Sequence, residues 1–289
     1  IDLPGVNVET DLNKIPLPDN NVNLEQVELK PSTEPMLHEG LHTEEDFQRI
    51  RDKKAAGEEP WVSAYQLLVE SQFSQKTADT YPTEWIKRGI SGDENYMNAA
   101  RGATIVYQQA LRWKIEQDDE YAAKAVENLN KWVQTCVGVT GNTNLSLAAG
   151  LYGYEFAIAG ELLRDYGGWD RADFAAFQNW LLKVFYPAND DFLKRHHDTN
   201  ALHYWANWCL CNIAAKMAIG IVTDRRDIYN EGIDHLQTGD TNGRLRRAIY
   251  HDYAPDYNFA QWQESGRDQG HTLMCVGLMG IICQLAWSQ

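Results

Sequence analysis

Residues 202–221 read LHYWANWCLCNIAAKMAIGI and residues 271–283 read HTLMCVGLMGIIC, two helical runs apolar on nearly every side. A helix of this kind must be enclosed by neighbours on most sides, because it keeps no polar face for water. Residues 120–136, EYAAKAVENLNKWVQTC, follow another rule: apolar positions recur every three or four residues and polar ones fill the rest. The chain mixes the two kinds in segments near 59–72, 95–116, 119–136, 145–166, 170–186, 200–222, 225–237 and 265–287. Alternating apolar and polar runs are almost absent, so no major sheet is expected. An all-α architecture follows, and an incomplete (α/α) toroid of inner apolar and outer amphipathic helices suits both kinds. A simple bundle or an open helical solenoid competes with it, and no clean internal repeat decides between them.

Outward from these helices, residues 1–37 carry Pro4, Pro16, Pro18, Pro31 and Pro35 without periodicity and read as an extended N-terminal arm on a domain spanning 38–289. Thr43 followed by Asp46 predicts a capping box opening the first helix. The 289 residues are 44% hydrophobic and 23% charged, the composition of an ordinary globular chain. A net charge of −15 argues against nucleic acid or an anionic membrane as partner. The run 272–287 is shorter than the roughly 20 residues of a membrane span and holds Gly277, Gly280 and Gln284. Cys136, Cys209, Cys211, Cys275 and Cys283 form no CxxC pair, so buried thiols or at most one or two disulfides are expected rather than a metal centre. The first residue is Ile1 rather than Met, and Asn144-Leu145-Ser146 is a glycosylation sequon. Both are compatible with a secreted or periplasmic protein.

The densest chemistry lies in QESGRDQGH, 263–271. Ser265 and Asp268 fit a capping box, which predicts a helix start at Ser265 and a free, electropositive first turn suited to an anion. On that helix Glu264, Arg267 or Asp268, and His271 would share one face. Arg267 could grip a carboxylate and His271 could move a proton, while a closed ion-pair network sealing the helix end is an equally weighted reading. A second constellation is TNALHYWANWCLC, 199–211, where Asn200, His203 and Asn207 are spaced three and four apart beside Tyr204, Trp205 and Trp208. Any one of these is best read as core, but amides crowded beside indoles need partners that a core does not supply. HHDTN, 196–200, looks like a metal cluster, yet neighbouring histidines diverge and no metal is expected there; TGNTN, 140–144, could bring Asn144 into the same cleft. Nucleotide and serine-hydrolase motifs are absent.

Together, NWCLCNIAAKMAIGIVTDRRDIYNEGIDHL (207–236), NGRLRRAIYHDY (242–253) and QWQESGRDQGHTLMCVGLMGIICQLAWSQ (261–289) resemble the alginate-lyase-type polysaccharide lyases. YQQALRWKIEQDDEYAAKAVENLNKW (107–132) and GLYGYEFAIAGELLRDYGGW (150–169) look like the same family, so the resemblance spans roughly 38–289. It implies a toroid with an open groove and β-elimination on an anionic β-1,4-linked polyuronate, alginate first and glucuronan next, with no cofactor. By resemblance Asn207, with Glu264, Arg267 and Gln269, would hold and neutralise the uronate carboxylate, and His271 would be the base or tune it. His203, Trp205, Trp208, Asn200, Asn144 and Tyr257 are the expected substrate contacts. The family usually pairs its His with a Tyr and continues beyond the AWSQ stretch, where this chain stops at Gln289. Tyr250, Tyr253 and Tyr257 are then the available phenols. The rival readings are a glycoside hydrolase using Glu264 and Asp268, which would sit a turn apart, and a binding protein without catalysis.

Overall fold

Helix α1, Glu44–Ala55, opens on the expected capping box: the Thr43 side chain accepts from Asp46 N, and the Asp46 carboxylate accepts from Thr43 N. This and all that follows comes from a computed structural model that describes residues 33–253 and 260–289. Most of the expected N-terminal arm, and Tyr257, lie outside the described residues.

Helices follow at Trp61–Glu70 (α2), Tyr96–Glu116 (α3), Asp119–Thr135 (α4), Leu145–Leu162 (α5), Arg171–Val184 (α6), Tyr186–Arg195 (α7), Ala206–Val222 (α8), Arg226–Thr238 (α9), Leu245–Ala248 (α10) and Gln269–Trp287 (α11). The class is all-α. A 3-10 turn, His196–Asp198, and two short ribbons complete the described elements: β1, Trp85–Arg88, pairs parallel with β2, Gly138–Gly141, and β3, Ile249–Asp252, pairs antiparallel with β4, Ala260–Trp262.

Helices α3, α5, α8 and α11 pack side by side in that order, while α4 backs α3, α7 backs α5 and α8, and α9 backs α8. This is an arc of inner and outer layers. Contacts near the helix starts give the inner helices a common direction: Tyr96 of α3 stacks on Tyr152 of α5, and Gly150 of α5 lies against Cys211 of α8. A Cβ on Gly150 would stand 2.5 Å from Cys211 Sγ and 3.0 Å from Asn212 N, so only glycine permits that approach. Every residue of α8 but Trp208 is buried, as the all-round apolar sequence requires. Its one charge, Lys216, is bonded to Asp190 of α7 at 2.8 Å and Glu231 of α9 at 2.5 Å, tying three helices together.

Four expectations are corrected. Helix α11 is not enclosed: it buries Cys275, Leu278, Met279, Ile282 and Leu285 in one stripe, against α8, and leaves Leu273, Val276 and Trp287 exposed. It closes one end of the arc and has no outer helix behind it among the described residues. Its 19 residues are also long and apolar enough, by length and composition alone, to cross a membrane, so the shorter count over 272–287 does not decide that question. The segment 170–186 breaks at Phe185 into α6 and α7, with Pro187 in the first turn of α7, where its missing N–H costs nothing. Helix α8 starts at Ala206 rather than near 200, because Asn200 folds 199–203 into a turn: its Oδ1 accepts from Leu202 N and its carbonyl from His203 N. Asn200 and His203 therefore do not share a helix face with Asn207. Finally, α11 starts at Gln269 rather than Ser265. Asp268, not Ser265, is its cap, accepting from His271 N at 2.8 Å. All five cysteines are free thiols.

Candidate active site

The first turn of α8 has no cap of its own. Two of its amides are satisfied from far along the chain: Ala206 N donates to Gln263 Oε1 at 2.8 Å and Asn207 N to Glu264 Oε2 at 3.1 Å. The "QE" of QESGRDQGH thus serves as the missing N-cap of an inner helix, with the Glu264 charge at the positive end of that helix's dipole. Glu264 has no exposed surface. It also accepts from Asn207 Nδ2 at 3.1 Å, Arg267 Nη1 at 2.9 Å and the Cys275 thiol at 2.9 Å. Burial, and then this bond to Glu264, push the Cys275 thiol well above its ordinary pKa. The buried carboxylate is therefore compensated from several sides, which is what a charge without water requires.

From this anchor the chain turns outward. Arg267 is partly exposed, with its guanidinium 5.9 Å from the ring centre of Trp205, which is itself exposed. Asp268 does two things at once. One carboxylate oxygen caps α11, and the other sits 2.6 Å from His271 Nδ1. Those bonds, the backbone one first, hold the Asp268 carboxyl below the usual carboxylate range. An ionised Asp268 can only accept, so His271 carries a proton on Nδ1, and the neutral imidazole has its lone pair on Nε2, which has no hydrogen bond among the described residues. Gln269 stands exposed on the first turn of α11.

Beyond Trp205 lies an aromatic cluster in which Trp208 packs on Tyr204 and Phe192, and His197 on Phe192 and Tyr204. The expected contacts divide here. Asn207, Glu264, Arg267, Trp205, Asp268 and His271 come together. Trp208 is half-buried in the aromatic cluster, His203 is exposed with its ring beside Tyr204, and Asn200 is spent on its own turn. Asn144 opens α5 and donates its amides to Asn142 Oδ1. Tyr250 and Tyr253 are on the surface of the β3–β4 ribbon.

HHDTN packs against the start of α5. His196, His197 and Asp198 have φ of 50°, 52° and 59°, three successive non-glycine residues in the left-handed region, a strained turn. It holds His197 Nε2 3.0 Å from Ser146 Oγ in the first turn of α5, and burial lowers the His197 pKa. No group of three or more metal-ligating side chains forms among the described residues. Sequence reasoning passed over Arg88 and Tyr152. Tyr152 is nearly buried in α5, and its phenol is pushed up to about 12 by burial, with the Arg88 charge pulling the other way.

The inner helices thus gather their N-terminal ends, with their positive dipole ends, around one mouth. That mouth can take an anion, and beside it stands an imidazole oriented by a carboxylate. It is not built for a glycosidase pair: with Glu264 wholly buried under its donors, only Asp268 of those two carboxylates reaches solvent.

A family model described as alginate lyase matches residues 50–270, from within α1 to the first turn of α11, stopping one residue short of His271. No curated protein matches the chain.

Proposed function

This chain belongs to the alginate lyase family, which supports polysaccharide lyase activity, and from that premise we propose that it cleaves a β-1,4-linked polyuronate by β-elimination, alginate first and glucuronan second. The substrate polymer lies with a uronate at the mouth formed by the starts of α8 and α11. Its carboxylate lies toward the helix N-termini, beside Arg267, Asn207 and Gln269, and neutralising it makes the proton on C5 acidic by stabilising the enolate that forms when it leaves. His271 Nε2 takes that proton. The electron pair of the C5–H bond becomes the C4–C5 double bond, the C4–O4 bond breaks, and O4 leaves with a proton returned by the imidazolium. In mannuronate and glucuronate H5 and O4 lie on the same side of the ring, so one imidazole can serve both steps. Because the substrate is a polymer, we assign this work to the periplasm or the exterior.

The observation that carries this reading is the His271 Nδ1 to Asp268 Oδ2 bond at 2.6 Å, which fixes the base tautomer beside an anion-accepting mouth. The test is ultraviolet absorbance of 4,5-unsaturated ends during incubation with polymannuronate, polyguluronate and glucuronan separately. A rise on one of them, abolished in His271→Ala, is expected. A flat trace on all three from folded protein ends the lyase reading, and release of reducing ends without absorbance would indicate hydrolysis instead.

A further inference from the structure

The charges of the 263–271 segment do not suffice for a carboxylate ligand. Arg267 is already matched to Glu264 at 2.9 Å and stands 3.8 Å from Asp268, so two negative charges face its single positive one. With His271 neutral, as a base must be, the cluster carries one net negative charge. A uronate entering there would be repelled rather than neutralised. Asn207 does not supply the deficit either, since Nδ2 is engaged with Glu264 and Oδ1, an acceptor, is buried without a partner.

An unused cation stands on the α3–α5 side. Arg88 ends β1, opposite Gly141, and its guanidinium lies 4.7 Å over the ring of Tyr96 at the start of α3. Tyr96 stacks on Tyr152, 6.5 Å between centroids. The Arg88 charge also reaches the Cys211 thiol, one turn below Asn207 on α8. Arg88 makes no ion pair among the described residues, and its Nη1 is buried without a hydrogen-bond partner. A buried donor left open is rare and marks the place of an absent acceptor. The two open atoms are opposite in kind, a guanidinium donor and an amide oxygen. A sugar acid carries a complement for each, a carboxylate for Arg88 and a ring hydroxyl for Asn207 Oδ1.

We infer that Arg88 is the residue that neutralises the carboxylate of the uronate undergoing elimination, the α3–α5 side of the mouth providing the cation and the α8–α11 side the base. This rests on the lyase reading for its catalytic part, while the preference for a carboxylate is a property of binding alone.

The test compares wild type, Arg88→Gln and Arg88→Lys on an oligouronate and on its carboxyl methyl ester, whose neutral ester needs no counter-charge. Calorimetric binding of the oligouronate and of its carboxyl-reduced counterpart runs in parallel. Arg88→Gln should lose about 100- to 1,000-fold in turnover on the acid, as when one preorganised donor is removed, and far less on the ester, with Arg88→Lys in between. Equal losses on both substrates would reduce Arg88 to a structural residue, and turnover like wild type on the acid would overturn the inference outright. If Arg88→Gln does not fold, Arg88→Lys carries the comparison. Should wild type be inert on every polyuronate, the lyase reading fails and calorimetry decides the rest. Tighter binding of the acid that disappears in Arg88→Gln sustains the carboxylate site; no preference for the acid in wild type refutes it.

Discussion

Glu264→Ala should be among the most destabilising single changes outside the apolar core. It removes the acceptor for Asn207 N, Asn207 Nδ2 and Arg267 Nη1 together, at a position with no solvent to replace it. Hydrogen bonds to a charged partner contribute about 1.5–3 kcal/mol each. The two from Asn207 are buried and count nearly in full, while Arg267 is 37% exposed and recovers most of its loss by hydration. The charge at the α8 N-terminus adds up to about 1–2 kcal/mol, partly the same energy counted again. A total of about 3–5 kcal/mol follows, the range for breaking a buried pair by removing one partner. At about 2–4 °C per kcal/mol for a domain of this size, the melting temperature should fall by roughly 6–20 °C. Glu264→Gln keeps the shape and one acceptor oxygen and should lose about half as much. Urea unfolding followed by circular dichroism measures both. If Glu264→Ala unfolds within about 1 kcal/mol of wild type, the remote cap is not what holds the start of α8, and the anchoring of Asn207 and Arg267 argued from it fails.

Other outcomes can be checked alongside. Asp268→Asn should keep the cap, since Asn caps as well as Asp, yet lose at least about 100-fold in turnover because an amide no longer fixes the His271 tautomer; retained activity would remove Asp268 from the mechanism. His235 is half-buried, and burial lowers its pKa from 6.5 to about 4. The unfolded chain then takes up a proton that the folded chain refuses, so stability is present above pH 6.5 and is lost as pH falls toward 4, by up to about 3 kcal/mol. His235→Gln should flatten that part of the pH dependence of the urea midpoint, and an unchanged slope would exclude His235 as its source. A Cβ on Gly102 would stand 2.4 Å from Trp132 Nε1 and 2.7 Å from Thr80 Oγ1, so Gly102→Ala should cost about 2 kcal/mol or more; a stability equal to wild type would show that this contact yields freely.

The fold class was legible because helical periodicity is local. EYAAKAVENLNKWVQTC announces its single buried face, and the run from Ala206 to Val222 its lack of a wet one. The start of α11 was misread because two capping patterns overlap. Ser265 with Asp268 and Asp268 with His271 both fit, and only the Glu264 side chain, committed to another helix, decides for the second. The apolar pattern of α11 also overstated its burial: hydrophobicity shows that a helix seeks cover, not that cover is present. Asn207, Arg267 and His271 could be singled out as neighbours from spacing and resemblance. Arg88 could not, since nothing in EWIKRG differs from a surface strand. Its distinction is an unmet hydrogen bond, a property of the packed molecule.

The cap of α8 also orders events in time. Its amides wait for residues 57 positions further on. While the chain is being synthesised, α8 can dock on α5 through Gly150 and Cys211, but its first turn stays frayed until 263 and 264 arrive. Closing so long a loop is slow relative to forming the helix itself. The same two residues position the 267–271 segment. That segment is therefore among the last parts of the molecule to form, and a nascent chain with most of its core in place still lacks the paired Asp268 and His271.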